Sequence, residues 1–362
     1  MTDESYIQLA IEIAKKGIGR VSPNPLVGAV IVKHDKILGA GYHEKFGGNH
    51  AEINAIEKAK ENIEGSTLYI NLEPCSHFGK TPPCVDRIIE KKIKRVVVGT
   101  LDMNPLVSGK GVRKLKSAGI DVKVGVLENE CIKLNKFFFK YITKKLPYVS
   151  LKAAQTIDGK IADKYGYSEW ISSVPSRKFV HGLRSKYDAV LVGAGTVATD
   201  DPRLTVRLVE GRNPKRIVID TYLKLKMSHK LFSNNNDKNL IVITSKKSIG
   251  KKRRINKLLS QGAQVLFAKE ESNGRIELKD ALRELRKIQI ASVLVEGGSE
   301  IYTSFIKNNL FDDMFLFISP KILGCGFPVV GSLGIKSLKK SLKVEIRNVE
   351  RVGDDLLLEL SK

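Results

Sequence analysis

Cysteine occurs four times in these 362 residues and tryptophan once. Two of the four, Cys131 and Cys325, stand far from any other, so there is no disulfide framework and a reducing compartment is expected. No stretch approaches the ~20 apolar residues needed to cross a bilayer. The acidic start Met1-Thr2-Asp3-Glu4 lacks the basic opening of a signal peptide, and no low-complexity tract suggests disorder. A folded cytoplasmic protein without membrane contact is the expectation. Acidic residues are scarce too, 39 against 62 lysines and arginines, a formal charge of +23. Such an excess can attract nucleic acid or phosphorylated ligands. Its runs, among them Lys246-Lys247, Lys251-Lys252-Arg253-Arg254 and Lys339-Lys340, are scattered and lack interleaved aromatics, which suits a solvated surface and no nucleic-acid partner.

What is present is concentrated between His50 and Cys84. His50-Ala51-Glu52 is followed, one strand later, by Glu73-Pro74-Cys75 and then Cys84. One imidazole and two thiolates make three ligands for zinc, leaving a fourth position for water whose pKa the metal lowers to roughly 7. Glu52, two residues from the histidine, is free to move protons. This is the H-x-E and P-C-x-x-C pattern of zinc nucleobase deaminases, with Glu52 as acid and base and not as ligand. One departure stands out. Eight residues separate Cys75 from Cys84 where the short form has two, and Pro82-Pro83 closes that loop before a helix expected near Cys84.

The N-terminal part alternates helix and strand: a helix over 4–16, a hairpin from Leu26 to Tyr42, strands at 67–72, 96–99 and 122–126, and helices at 111–118 and 128–139. Alternation predicts a layered α/β sheet. A boundary is expected between Phe137 and Pro147, with Phe137-Phe138-Phe139 at a domain interface and the second domain beginning at about 146. The second part alternates again, with strands expected near 149–154, 189–193, 216–220, 240–244, 292–296, 313–318, 342–348 and 355–360. Gly193-Ala194-Gly195-Thr196-Val197-Ala198 matches G-x-G-x-x-A, yet Asp200-Asp201-Pro202 should interrupt the helix such a dinucleotide fingerprint requires. Glu296-Gly297-Gly298-Ser299 offers a better phosphate cradle, a strand ending in glycines before a helix. Lys152, Arg184, Arg203 and Arg207 supply cations for a phosphorylated substrate, and Trp170 a ring for stacking.

With Pro23-Asn24-Pro25-Leu26-Val27-Gly28 upstream, Asn104-Pro105-Leu106-Val107 downstream and Ser76-His77-Phe78-Gly79-Lys80-Thr81-Pro82-Pro83 between the cysteines, the first half resembles the deaminase domain of the bifunctional riboflavin-biosynthesis deaminase/reductase family. Lys152-x-Ala154, Asp158-Gly159-Lys160 and the stretches above resemble its reductase half. Met103, Ser108 and Thr156 depart from the family pattern. The resemblance implies a cytidine-deaminase-like domain with a mixed sheet over 1–145 and a dihydrofolate-reductase-like α/β domain over 146–362. It implies zinc and NADPH as cofactors, a phosphorylated pyrimidine as substrate and deamination before reduction. A homo-oligomer is also expected, which Phe137 to Phe139 would favour if exposed rather than spent on the domain interface. By position, Asn24, His43, His77 and Lys80 would hold the deaminase substrate. Ala154, Trp170, Thr196, Asp200, Thr221 and the turn Gly298, Ser299, Glu300, Ile301, Tyr302, Thr303 and Ser304 would meet NADPH. Lys152, Ser168, Arg184, Leu204, Arg207 and Glu296 would meet the reductase substrate. The charge would also suit a deaminase acting on RNA, but the eight-residue loop and second α/β unit argue against that, and Glu52 beside an open coordination position argues against a purely structural zinc site.

Overall fold

The computed structural model describes every residue except 77–81 and 106. The chain divides into two compact units, Met1–Leu146 and Pro147–Lys362.

In the first unit α1 (Asp3–Ala14) is capped by Thr2, whose hydroxyl accepts the Ser5 N–H, and is followed by β1 (Gly28–Lys33) and β2 (Lys36–Tyr42). Then come α2 (Ala51–Glu57), β3 (Thr67–Leu72), α3 (Cys84–Glu90), β4 (Arg95–Thr100), α4 (Lys110–Ser117), β5 (Asp121–Val124), α5 (Glu128–Leu134) and α6 (Lys136–Thr143). The sheet runs β2-β1-β3-β4-β5, antiparallel on the β1 side and parallel from β3 to β5, so it is mixed. Val96, Val97 and Val98 are buried because β4 is covered on both faces, as a continuous apolar run requires. Gly28 is obligatory for a steric reason: a Cβ there would lie 2.1 Å from the Ala10 carbonyl oxygen, so α1 rests directly on β1.

One expectation changes here. The single helix over 128–139 is split at Asn135, whose side chain clasps Leu26, accepting its N–H at 2.7 Å and donating to its carbonyl at 3.0 Å. Phe138 and Phe139 pack on Leu72 within the unit's own core.

The second unit contains β6 (Tyr148–Thr156), β7 (Lys160–Asp163), α7 (Val174–Lys186), β8 (Ala189–Gly193), α8 (Ala194–Asp200), β9 (Lys215–Ile219) and α9 (Lys230–Ser233). It continues with β10 (Leu240–Ser245), α10 (Lys252–Ser260), β11 (Gln264–Ala268), α11 (Leu278–Lys287), β12 (Ser292–Val295), α12 (Ser299–Lys307), β13 (Asp313–Ser319), β14 (Gly326–Pro328), β15 (Glu345–Val352) and β16 (Asp355–Ser361). The large sheet is ordered β11-β10-β9-β8-β12-β6-β13-β16-β15, parallel from β11 to β13 and antiparallel at β16 and β15. From β8 the chain steps outward through β9, β10 and β11, then returns to insert β12 between β8 and β6. That reversal opens a crevice at the carboxyl ends of β8 and β12, where sheets of this kind bind ligands. Strands β7, β11 and β14 were not expected from the sequence, and the penultimate strand spans 345–352 rather than 342–348.

Candidate active sites

In the first unit His50 is the N-cap of α2, Cys84 opens α3, and Cys75 lies in the turn leaving β3. The three donor atoms lie within 4.8 Å of one another. His50 Nδ1 is 3.2 Å from Cys84 Sγ and 3.5 Å from Cys75 Sγ. Zn–N and Zn–S bonds of about 2.0 and 2.3 Å at a tetrahedral angle set a nitrogen–sulfur edge of roughly 3.5 Å. Both the donor set and its spacing therefore fit zinc. Without the metal, hydrogen bonding with Cys84 pulls the Cys75 thiol down to about 4, and the bond to Cys75 lifts His50 to about 9. Glu52, in the first turn of α2, is 3% exposed, and burial pushes its carboxyl up to about 7.

Asn24 and His43 are brought together beside this cluster. Asn24 Nδ2 is 3.0 Å from His43 Nε2, and His43 Nδ1 is 2.9 Å from the Asn49 carbonyl oxygen. Because the amide nitrogen can only donate and the carbonyl only accept, the ring carries its proton on Nδ1. The His43 and His50 rings meet edge to face with centroids 5.6 Å apart. His77 and Lys80 lie outside the described residues.

Glu73, quoted in the sequence only as part of the Glu-Pro-Cys run, is buried and accepts three backbone N–H groups: Asp102 at 3.2 Å, Gly109 at 2.9 Å and Val112 at 3.1 Å. It fastens the turn carrying Cys75 to the segment that starts α4. Gly111 abuts the same turn, since a Cβ there would stand 2.1 Å from the Pro74 carbonyl oxygen.

In the second unit the crevice is a cavity of about 1120 Å³. It is lined by Lys152, Ala154, Ser168, Trp170, Arg184, Thr196, Asp200, Arg203, Leu204, Arg207, Thr221 and Glu296, and by Gly298, Ser299, Glu300, Ile301, Tyr302 and Ser304. Thr303 instead turns away, donating to the Ser299 carbonyl and accepting the Gly331 N–H at 2.7 Å. Glu296 and Arg184 form a buried bidentate pair at 2.6 and 2.8 Å, with Lys152 Nζ 3.9 Å away. Burial pushes Lys152 down, against the pull of Glu296. Arg184 also donates to the Thr205 carbonyl at 3.0 Å. Trp170 is 62% exposed, with the Arg177 guanidinium 4.4 Å above its ring, so it belongs to the cavity rim rather than the core.

The helix after the glycine-rich turn is interrupted where the sequence placed the break. Helix α8 is only seven residues long and stops at Asp201, which adopts φ 42° before Pro202. Asp220, where a dinucleotide fingerprint would place its ribose-binding acid, accepts the Lys224 and Leu225 N–H groups at 2.9 Å each. Gly297 is needed because a Cβ would stand 2.9 Å from the Thr196 side chain, so the turns after β8 and β12 touch.

His181 escaped the sequence reading. It lies one turn before Arg184 on α7, is buried, and its Nδ1 accepts the Arg207 N–H at 2.8 Å. Only its spacing of three from Arg184 hinted that both face the same segment.

A family profile described as the RibD C-terminal domain matches residues 147–358, and one described as the cytidine and deoxycytidylate deaminase zinc-binding region matches residues 1–100. The riboflavin biosynthesis protein RibD of Aquifex aeolicus is 50% identical over 98% of this chain and 97% of its own. The chain belongs to the RibD family. The RibD of Escherichia coli is 35% identical over 99% of both chains. A crystal structure from Thermotoga maritima, titled a diaminohydroxyphosphoribosylaminopyrimidine deaminase/5-amino-6-(5-phosphoribosylamino)uracil reductase, matches with a TM-score of 0.87 and 44% identity over 99% of this chain and 98% of that one. Acinetobacter baumannii RibD gives 0.89 and 34%, at the same coverage. Like its family, this chain is a bifunctional riboflavin-biosynthesis enzyme, a zinc-dependent deaminase followed by an NADPH-dependent reductase. Among the described residues no helix is long and apolar enough to cross a membrane.

Proposed function

We propose that the first unit deaminates 2,5-diamino-6-(5-phosphoribosylamino)pyrimidin-4(3H)-one and that the second reduces the ribosyl group of the product to ribityl. The observation that carries this reading is the donor cluster of His50, Cys75 and Cys84 with the buried Glu52 carboxyl in its helix's first turn. These three residues would hold zinc, which supplies Lewis acidity and lowers the pKa of a bound water. Glu52 would hold the proton and move it from the attacking water to the departing amine, a task suited to a carboxyl whose burial raises it toward neutrality. Asn24 and His43 orient the pyrimidine, and His77 and Lys80 complete its site by resemblance.

In the second unit NADPH supplies the hydride. Lys152, Ser168, Arg184, Leu204, Arg207 and Glu296 bind and orient the phosphorylated sugar. Ala154, Trp170, Thr196, Asp200, Thr221 and the segment 298–304 hold the cofactor. Lys152 and Asp200 both line the cavity, and one of them donates the proton to the opened sugar. If neither Asp200→Asn nor Lys152→Ala slows NADPH oxidation, both assignments fail.

We further propose a homo-oligomer in the cytoplasm. Cysteines without disulfide partners suit a reducing compartment. Strand β15 sits at the sheet edge with Ile346 and Val349 more than half exposed, an apolar edge of the kind that pairs with a second copy. The whole reading is tested by following ammonia release and NADPH absorbance together on zinc-loaded protein. Both signals are expected. Glu52→Gln should cut ammonia release by about 10²-fold or more while zinc stays bound, and retained deamination would remove Glu52 from its role.

A further inference from the structure

We propose that Lys224 and Arg275 hold the 2′-phosphate on the cofactor's adenosine half and so make the reductase prefer NADPH to NADH. The inference rests on the reading of the cavity as the cofactor site. Lys152, Arg184 and Glu296 cluster where β6 and β12 lie side by side. The cavity extends past the end of β8 to the end of β9, where Tyr222 and Lys224 line it together with Arg275. From β6 to β9 is three strand spacings, about 14 Å. An extended dinucleotide with its nicotinamide near the sugar therefore has its adenosine end at Tyr222.

The charges at that end suit an additional phosphate. Asp220, the acid closing β9, is 4% exposed, and both its oxygens accept backbone N–H groups, so it presents no free carboxylate to a ribose. Lys224 has no carboxylate partner among the described residues, and its ammonium lies 5.8 Å from the Tyr222 ring centroid. The Tyr222 hydroxyl donates to the Gly274 carbonyl at 2.9 Å, which ties the turn bearing Arg275 to the end of β9. The Arg275 guanidinium pairs with Glu300 at 3.4 Å, with both side chains more than half exposed. An exposed pair of this kind is weak, and a phosphate dianion can displace it. Of the other charged groups lining this end, Lys230 is engaged by Asp201 at 3.6 Å. Glu271 also lines it, its carboxylate accepting the Asn273 side-chain amide at 3.0 Å.

The test is the reductase KM for NADPH and for NADH in Lys224→Ala, Arg275→Ala and the double variant, with calorimetric binding of adenosine 2′,5′-bisphosphate and of ADP as probes. Both side chains are exposed, so folding should survive, and an unchanged kcat with saturating NADH together with unchanged chemical unfolding would verify it. The double variant should raise the KM for NADPH by about tenfold or more, and weaken the bisphosphate in parallel, as loss of charge-assisted contacts to one phosphate demands. The KM for NADH and the affinity for ADP should move little. Equal losses for both cofactors, or no loss for either, would overturn the inference while leaving the cavity assignment intact. A wild-type protein that binds neither NADPH nor NADH would overturn the cavity assignment and the inference with it.

Discussion

His181 is held neutral by its surroundings. Burial, and then the nearby charges of Arg184 and Arg207, push its imidazole down to about 4. Its Nδ1 is an acceptor for the Arg207 N–H, so protonation there would break the bond that presents Arg207 to the cavity. With the folded value near 4 the native bond holds until pH falls to about 4, while the stability it contributes, full above the unfolded value near 6.5, declines between the two. The reductase KM for its sugar phosphate should rise as pH approaches about 4. His181→Leu should raise it at neutral pH, with ammonia release unchanged. His181→Asn, whose amide oxygen can accept in place of Nδ1, should restore most of the loss. A flat pH profile together with a silent leucine variant would refute this positioning role. Glu296 carries a different burden, since Arg184 and Lys152 are buried against it. Glu296→Ala leaves them unpaired and should destabilise the second unit by about 3–5 kcal/mol, read from chemical unfolding.

The segments around both sites are shaped by contacts between elements. Glu73 satisfies three amides of the segment leading into α4, so Glu73→Ala strips a buried acceptor from each. At roughly 1 kcal/mol or more per stranded donor, a loss of about 3 kcal/mol is expected. Weaker zinc retention should accompany it, because Cys75 leaves the same turn. Wild-type stability and zinc affinity in that variant would contradict the assignment. Helices and strands themselves were largely legible, since 3.6- and 2-residue periodicities are local. The break at Asn135 was not, because it is made by hydrogen bonds to Leu26, more than a hundred residues away. Asp200-Asp201-Pro202 was expected to interrupt the helix after Gly193, and the helix stops there after two turns, with Val197 buried and Thr196 packed on Gly297.

Across the whole molecule, zinc belongs to one unit and the NADPH cavity to the other. Removing zinc with a chelator should abolish ammonia release yet leave NADPH oxidation with the already deaminated pyrimidine. Simultaneous loss of both activities would show that the second unit depends on the metal. At the sheet edge, Ile346→Asp with Val349→Asp should lower the assembly state measured by light scattering, and an unchanged mass would dismiss β15 as an interface. The sequence suggested Phe137 to Phe139 for such a role, but two of the three are buried on Leu72.

Sequence alone determined the His50, Cys75 and Cys84 donor set that the fold gathers, the proposal of Glu52 beside it and the order of two α/β units, because ligand types at fixed spacing and periodic burial are written in the chain. Its family motifs also named most of the residues lining the second cavity. Only the tertiary structure decided what those residues do to one another: that Glu296 is committed to Arg184, that Asp220 is spent on backbone amides, and that His181 and Glu73 support the sites from behind. Such roles depend on which donor meets which acceptor across elements distant in sequence, and spacing along the chain does not encode that meeting.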